Sequence, residues 1–147
     1  MMRRFMMFRA VAVLLLTLGL TGPSWAQTDV SAADRAAIRD AITRQIEAFQ
    51  HDDGDAAFAF ASRSIQDQFG NPDRFLAMVR RAYPAVHRPR SVDFSELLLG
   101  DGVIVQQVEL VGPNGEPELA LYSMERDAAG MWRISGCTLV PSARIGT

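Results

Sequence analysis

Lysine is absent from this 147-residue chain, cysteine occurs once, and histidine and tyrosine twice each. With no lysine every cation is an arginine, and a formal net charge of −2 leaves no basic excess. Nucleic acid and anionic membrane surfaces demand clustered positive charge, so neither is an expected partner. The lone cysteine, Cys137, cannot close an intramolecular disulfide, and the domain must be held by its core alone. It sits in an apolar, strand-like stretch, where a buried small hydrophobe is the first reading and an intermolecular disulfide the second. No cation or helix start lies nearby to lower its pKa and make it a nucleophile. The sequence also lacks a glycine-rich phosphate loop, a Ser–His–Asp set and any Cys–His metal spacing. Neither a cofactor nor a metal is expected.

What is present begins at the N-terminus. Residues 1–9 carry Arg3, Arg4 and Arg9 with no acid, Ala10 to Leu20 is almost uninterrupted Ala, Val and Leu, and Ser24-Trp25-Ala26 forms a small-x-small site before Gln27. The pattern predicts a signal peptide over residues 1–26, cleaved between Ala26 and Gln27, and export to the periplasm or beyond. A retained anchor needs roughly 20 apolar residues, and Thr17, Gly19, Thr21, Gly22 and Pro23 interrupt the run first. No stable membrane anchor is therefore expected after cleavage, and with no cysteine near the site a lipoprotein is not expected either. Residues 27–147 then form a single domain, with 12 arginines against 17 acids.

Helical periodicity occupies the first half of that domain. Ser31 and Asp34 have capping-box spacing, and Ile38, Ile42, Ile46 and Phe49 follow on one stripe, predicting a helix near residues 32–50. His51 to Asp55 reads as a stop and restart, with Gly54 at the helix end and Asp55 capping a short turn through Ala61 whose Phe58 faces the core. A further turn over Ser64 to Phe69 ends at Gly70. Asn71-Pro72 starts a helix carrying Phe75, Leu76, Val79 and Ala82, stopped near Tyr83 by Pro84.

From Ser91 the pattern changes to strands over Val92 to Leu99, Val103 to Val111, Glu118 to Arg126 and Met131 to Val140, separated by glycine-containing hairpin signals. The fold class is α+β: N-terminal helices packed on a curved four-stranded antiparallel sheet. Strict alternation puts Trp132, Ile134, Gly136, Thr138 and Val140 on one face and Met131, Arg133, Ser135, Cys137 and Leu139 on the other, and neither face is plainly polar. A sheet apolar on both faces needs cover on each, and the helices supply one. The open face is the expected surface for a homodimer.

Several segments together resemble a known family. Phe58-Ala59-Phe60-Ala61-Ser62, Arg74-Phe75-Leu76-Ala77-Met78-Val79, Tyr83-Pro84, Arg88-Pro89-Arg90-Ser91-Val92, Val105-Gln106-Gln107-Val108, Ala120-Leu121-Tyr122 and Trp132-Arg133-Ile134-Ser135-Gly136-Cys137 are similar in order and spacing to a bacterial domain of unknown function, number 4864. That family looks like a member of the nuclear transport factor 2-like, or cystatin-like, α+β cone superfamily. The resemblance implies a fold and brings no catalytic residues with it. It also leads one to look for a short strand among the helices, which this sequence does not reveal.

Such a cone can hold a pocket, and Tyr83, His87, Asp93, Glu109 and Tyr122 are the candidates to line it. An isomerase or lyase would need a carboxylate or histidine base facing a tyrosine that stabilises an oxyanion. No spacing among these residues enforces that geometry. Arg80, Arg81, Arg88 and Arg90 bracket the Tyr83-Pro84 corner and are the candidate patch for an anion or an acidic partner. His51, beside Asp52, Asp53 and Asp55, lacks the alternation of a calcium loop, and helix capping accounts for that cluster better. The sequence thus favours a non-enzymatic exported module that binds a small apolar, amphipathic or anionic ligand or a protein. The alternative is a small isomerase or lyase.

Overall fold

Ser31 opens the first helix as its spacing requires: its Oγ accepts the Asp34 amide and donates back to the Asp34 carboxylate. The structure, a computed structural model, describes residues 29–142; the expected signal segment and its Ala26–Gln27 cleavage point lie outside them. Helix α1 (Ala32–Gln50) buries the predicted stripe of Ile38, Ile42, Ile46 and Phe49. Among the described residues no helix is long and apolar enough to cross a membrane.

The junction after α1 differs from expectation. Asp52 takes the left-handed backbone at φ 53°, and Asp53 caps the next helix, α2 (Gly54–Ala59), by accepting the Ala56 amide. Gly54 is therefore the first residue of α2, and Asp55 lies within it. The reason is the closure of α1: the Asp52 and Asp53 amides donate to the Phe49 and Ala48 carbonyls around the left-handed Asp52, which leaves Asp53 as the residue that opens α2. Helix α3 (Arg63–Phe69), capped by Ser62, ends on Gly70 at φ 79°, and Asn71 caps α4 (Pro72–Ala82) through the Arg74 amide. Pro84 does stop α4, but it also begins a one-turn helix, α5 (Pro84–His87), where the sequence suggests loop.

The remaining chain forms a four-stranded antiparallel meander in the order β1 (Ser91–Gly100), β2 (Val103–Val111), β3 (Pro117–Arg126), β4 (Trp132–Pro141). Two bulges overturn strict alternation. Between Phe94 and Leu97 the β1 register shifts against Val108 and Gln106, and between Ile134 and Gly136 the β4 register shifts against Met124 and Ser123. An extra residue turns the following side chains over. Ile134 and Cys137, assigned to opposite faces by alternation, both join the face that carries Met124 and Tyr122. Gln106, fully buried, serves the first bulge by sharing its amide hydrogens among the Ser95, Glu96 and Gln107 carbonyls.

The core lies between this face and the helices, where Val108, Leu110, Ala120, Tyr122, Met124 and Ile134 meet the α1 stripe and Phe75, Leu76 and Val79 of α4. Trp132 ties the β4 entrance to the start of α1, donating its indole hydrogen to Asp34 at 3.1 Å. The short strand sought among the helices is a single residue, Ala61, bridged in parallel to Ile134. The Ser62 amide donates to the Ile134 carbonyl and the Ile134 amide to the Phe60 carbonyl, which covers that stretch of the β4 edge.

Candidate functional site

Helix α4 presents Phe75, Met78, Val79 and Ala82 at i, i+3, i+4 and i+7, one helical face turned toward the sheet. Opposite it lie Gln45 and Phe49 of α1, Ile65, Gln68 and Phe69 of α3, Tyr83 and Val86 at the corner, and Tyr122 with residues 134–137 of the sheet. They enclose a cavity of about 460 Å³, within the range of roughly 300–1,000 Å³ common to small-molecule sites. Phe75 anchors the wall, its ring centroid 5.7 Å from Phe49, 5.5 Å from Phe58 and 5.6 Å from Phe69. The floor is buried, whereas Gln68 and Ala82 are exposed at the mouth. Ala82 is thus a rim residue and not the core residue its periodicity suggests.

Polar groups on this lining are few. Gln45, buried, donates one amide hydrogen to the Ala57 carbonyl. Tyr122 is fully buried, and its hydroxyl is without a hydrogen-bond partner among the described residues. The Cys137 thiol lies beside that hydroxyl, close enough for each to bear on the other's proton, as a weak sulfur neighbour and not a full hydrogen-bond partner. Burial raises the Tyr122 hydroxyl well above the ordinary tyrosine range, and burial pushes the half-buried Cys137 up to about 12. Both hold their protons at neutral pH. Cys137 is accordingly a poor nucleophile and matches the buried-hydrophobe reading more closely than the reactive one.

The structure divides the sequence-derived candidates among three places. Tyr83 and Tyr122 line the cavity. Asp93 and Glu109 stand directly opposite each other across β1 and β2, both exposed, on the sheet face away from the helices. His87 is joined to Asp52 outside the cavity lining, its Nε2 donating to the carboxylate at 2.7 Å. Arg80 reaches the same carboxylate at 2.9 Å and Arg88 at 2.8 Å. The arginine patch is therefore split: two members neutralise Asp52, while Arg81 makes no ion pair among the described residues and Arg90 lies against Gly115. The His87 and Arg80 hydrogen bonds hold the Asp52 carboxyl far below the usual carboxylate range.

Sequence reasoning missed Gln45 and Asp52. Gln45 carried a readable signal, since a glutamine between Ile42, Ile46 and Phe49 interrupts the apolar stripe of α1. Asp52 carried none, because its partners come from residues 28 to 36 positions away.

The family described as "Domain of unknown function (DUF4864)" matches residues 31–147, and the chain belongs to it. Among solved structures it is similar to an NTF-2 like protein of unknown function from Burkholderia xenovorans LB400, with 18% identity and a TM-score of 0.47 over 77% of this chain and 88% of that one. No curated protein matches the chain.

Proposed function

We propose that this protein is an exported, non-enzymatic module that binds a small apolar or amphipathic molecule in the cavity between α3, α4 and the sheet, and that two copies pair through the outer sheet face. The observation that carries the binding reading is the cavity itself, about 460 Å³ with aromatic walls and no charged residue in its lining. Apolar walls with a few placed polar groups are the usual constitution of a ligand site. The basic, apolar and small-x-small order of residues 1–26 supports export. Val105, Leu119, Leu121 and Val140 on the face away from the helices support pairing.

The isomerase or lyase alternative needs a base in the cavity. Asp93 and Glu109 sit on the opposite sheet face, and His87 is bound to Asp52 outside the lining. The binding reading needs no such base.

Titration with N-phenyl-1-naphthylamine, a neutral probe that brightens in apolar surroundings, tests the proposal. Saturable binding at one probe per chain is expected, weakened about tenfold or more by Ala82→Trp, which fills the mouth from an exposed position. Binding that is unsaturable, or indifferent to that substitution, overturns the reading.

A further inference from the structure

We infer that the cavity selects an uncharged ligand whose buried end carries a hydrogen-bond acceptor, a carbonyl or ether oxygen, placed on the hydroxyl of Tyr122. The inference rests on the ligand-binding reading above and names the chemistry of the molecule bound. Tyr122 lines the cavity floor, fully buried, and its hydroxyl has no hydrogen-bond partner among the described residues. A buried polar group left unpaired is costly, and phenylalanine would fill the same space without that penalty. A ligand acceptor on this hydroxyl would supply the strong partner that the Cys137 thiol beside it does not.

The surroundings fix which partner that is. The neighbouring Cys137 is a weak acceptor and, with its thiol pushed up to about 12, offers no thiolate. The Tyr122 hydroxyl, raised by its burial, stays protonated and so is available as a donor. Gln45 has already committed one amide hydrogen to Ala57. Phe49, Phe69, Phe75, Val79 and Ile134 surround these groups with apolar surface, which suits an apolar ligand body and penalises an ion strongly. The anionic ligand admitted by the arginine patch is disfavoured here, since Arg80 and Arg88 are turned to Asp52 and neither lines the cavity.

Three isosteric probes separate the components of this inference: acetophenone, ethylbenzene and benzoate, titrated into the full domain and followed by NMR shift changes of cavity residues. The wild-type protein is expected to bind acetophenone about 2- to 13-fold more tightly than ethylbenzene, the range for one neutral hydrogen bond, and to bind benzoate least at pH 7. Tyr122→Phe is expected to abolish or reverse that preference by weakening acetophenone alone, whose carbonyl is then buried without a partner. Equal wild-type affinities for acetophenone and ethylbenzene, or a gap that survives in Tyr122→Phe, overturn the acceptor inference while leaving the cavity reading intact. Benzoate binding as tightly as acetophenone overturns the uncharged clause. Absence of binding by both neutral probes, together with failure of N-phenyl-1-naphthylamine, overturns the cavity reading itself. The wild-type comparison needs no variant, so it decides the matter even if Tyr122→Phe does not fold.

Discussion

Asp52 holds a left-handed backbone at φ 53° and gathers His87, Arg80 and Arg88 onto one carboxylate. Aspartate tolerates that conformation better than most residues, and here the position also directs its side chain to the start and end of the α4–α5 corner. The His87 and Arg80 hydrogen bonds, with the nearby arginine charges, lower its pKa from the ordinary 3.8. A carboxyl whose folded pKa is depressed contributes stability that is complete above its unfolded value and is lost as pH falls below it. Asp34, held down by its Ser31 and Trp132 hydrogen bonds, and Asp127, held down by the Met131 amide and Arg133, titrate over the same acid range. Urea midpoints measured from pH 7 to pH 3 should therefore fall for the wild-type protein and fall less steeply for Asp52→Asn, which keeps the backbone preference but removes the charge. The difference should be largest near neutrality and shrink toward pH 3. Parallel curves would show that the ionisation of Asp52 adds nothing to stability.

At the level of elements, helix starts were legible wherever a cap stood alone. Ser31 before α1 is picked out by Asp34 three residues on, and Asn71 before α4 by Pro72 at the first helical position, and both cap as their spacing indicates. The α2 start was not legible because Asp52, Asp53 and Asp55 are chemically equivalent as caps. The choice is made where α1 closes, since the left-handed Asp52 and the Asp53 amide bonded to the Ala48 carbonyl leave Asp53 at the start of α2. Neither bulge was legible for a related reason: an extra residue in β1 or β4 is defined only by the partner strand. Asn71 allows the cap argument to be measured. Asn71→Ala should cost about 1 kcal/mol and Asn71→Gly only a few tenths in urea denaturation, since the side chain accepts the Arg74 amide from an exposed position. Equal losses for Ala and Gly would assign the effect to the backbone and not to the cap.

Across the whole molecule, the sequence carried the order of helices and strands because each is written locally in periodicity and turn residues. The site was not written that way, since its walls come from α1, α3, α4, α5, β3 and β4 and meet only through packing. The same separation governs assembly. The β4 bulge turns Cys137 to the helix side with Ile134 and Tyr122, and Leu119, Leu121 and Val140 lie half-buried on the outer face, where no helix covers them. Pairing through that face would bury this patch, whereas the cavity mouth at Gln68 and Ala82 opens on the helix side. Assembly and ligand binding are therefore expected to be independent. Sedimentation at tens of micromolar should show a wild-type dimer and a monomeric Leu121→Glu, because a carboxylate between Gln107 and Thr138 on the paired face would be buried without a cation. That monomer should still bind N-phenyl-1-naphthylamine with wild-type affinity. A wild-type monomer at high micromolar concentration would overturn the pairing proposal. Loss of probe binding in a folded Leu121→Glu would show that the two faces are coupled through the sheet.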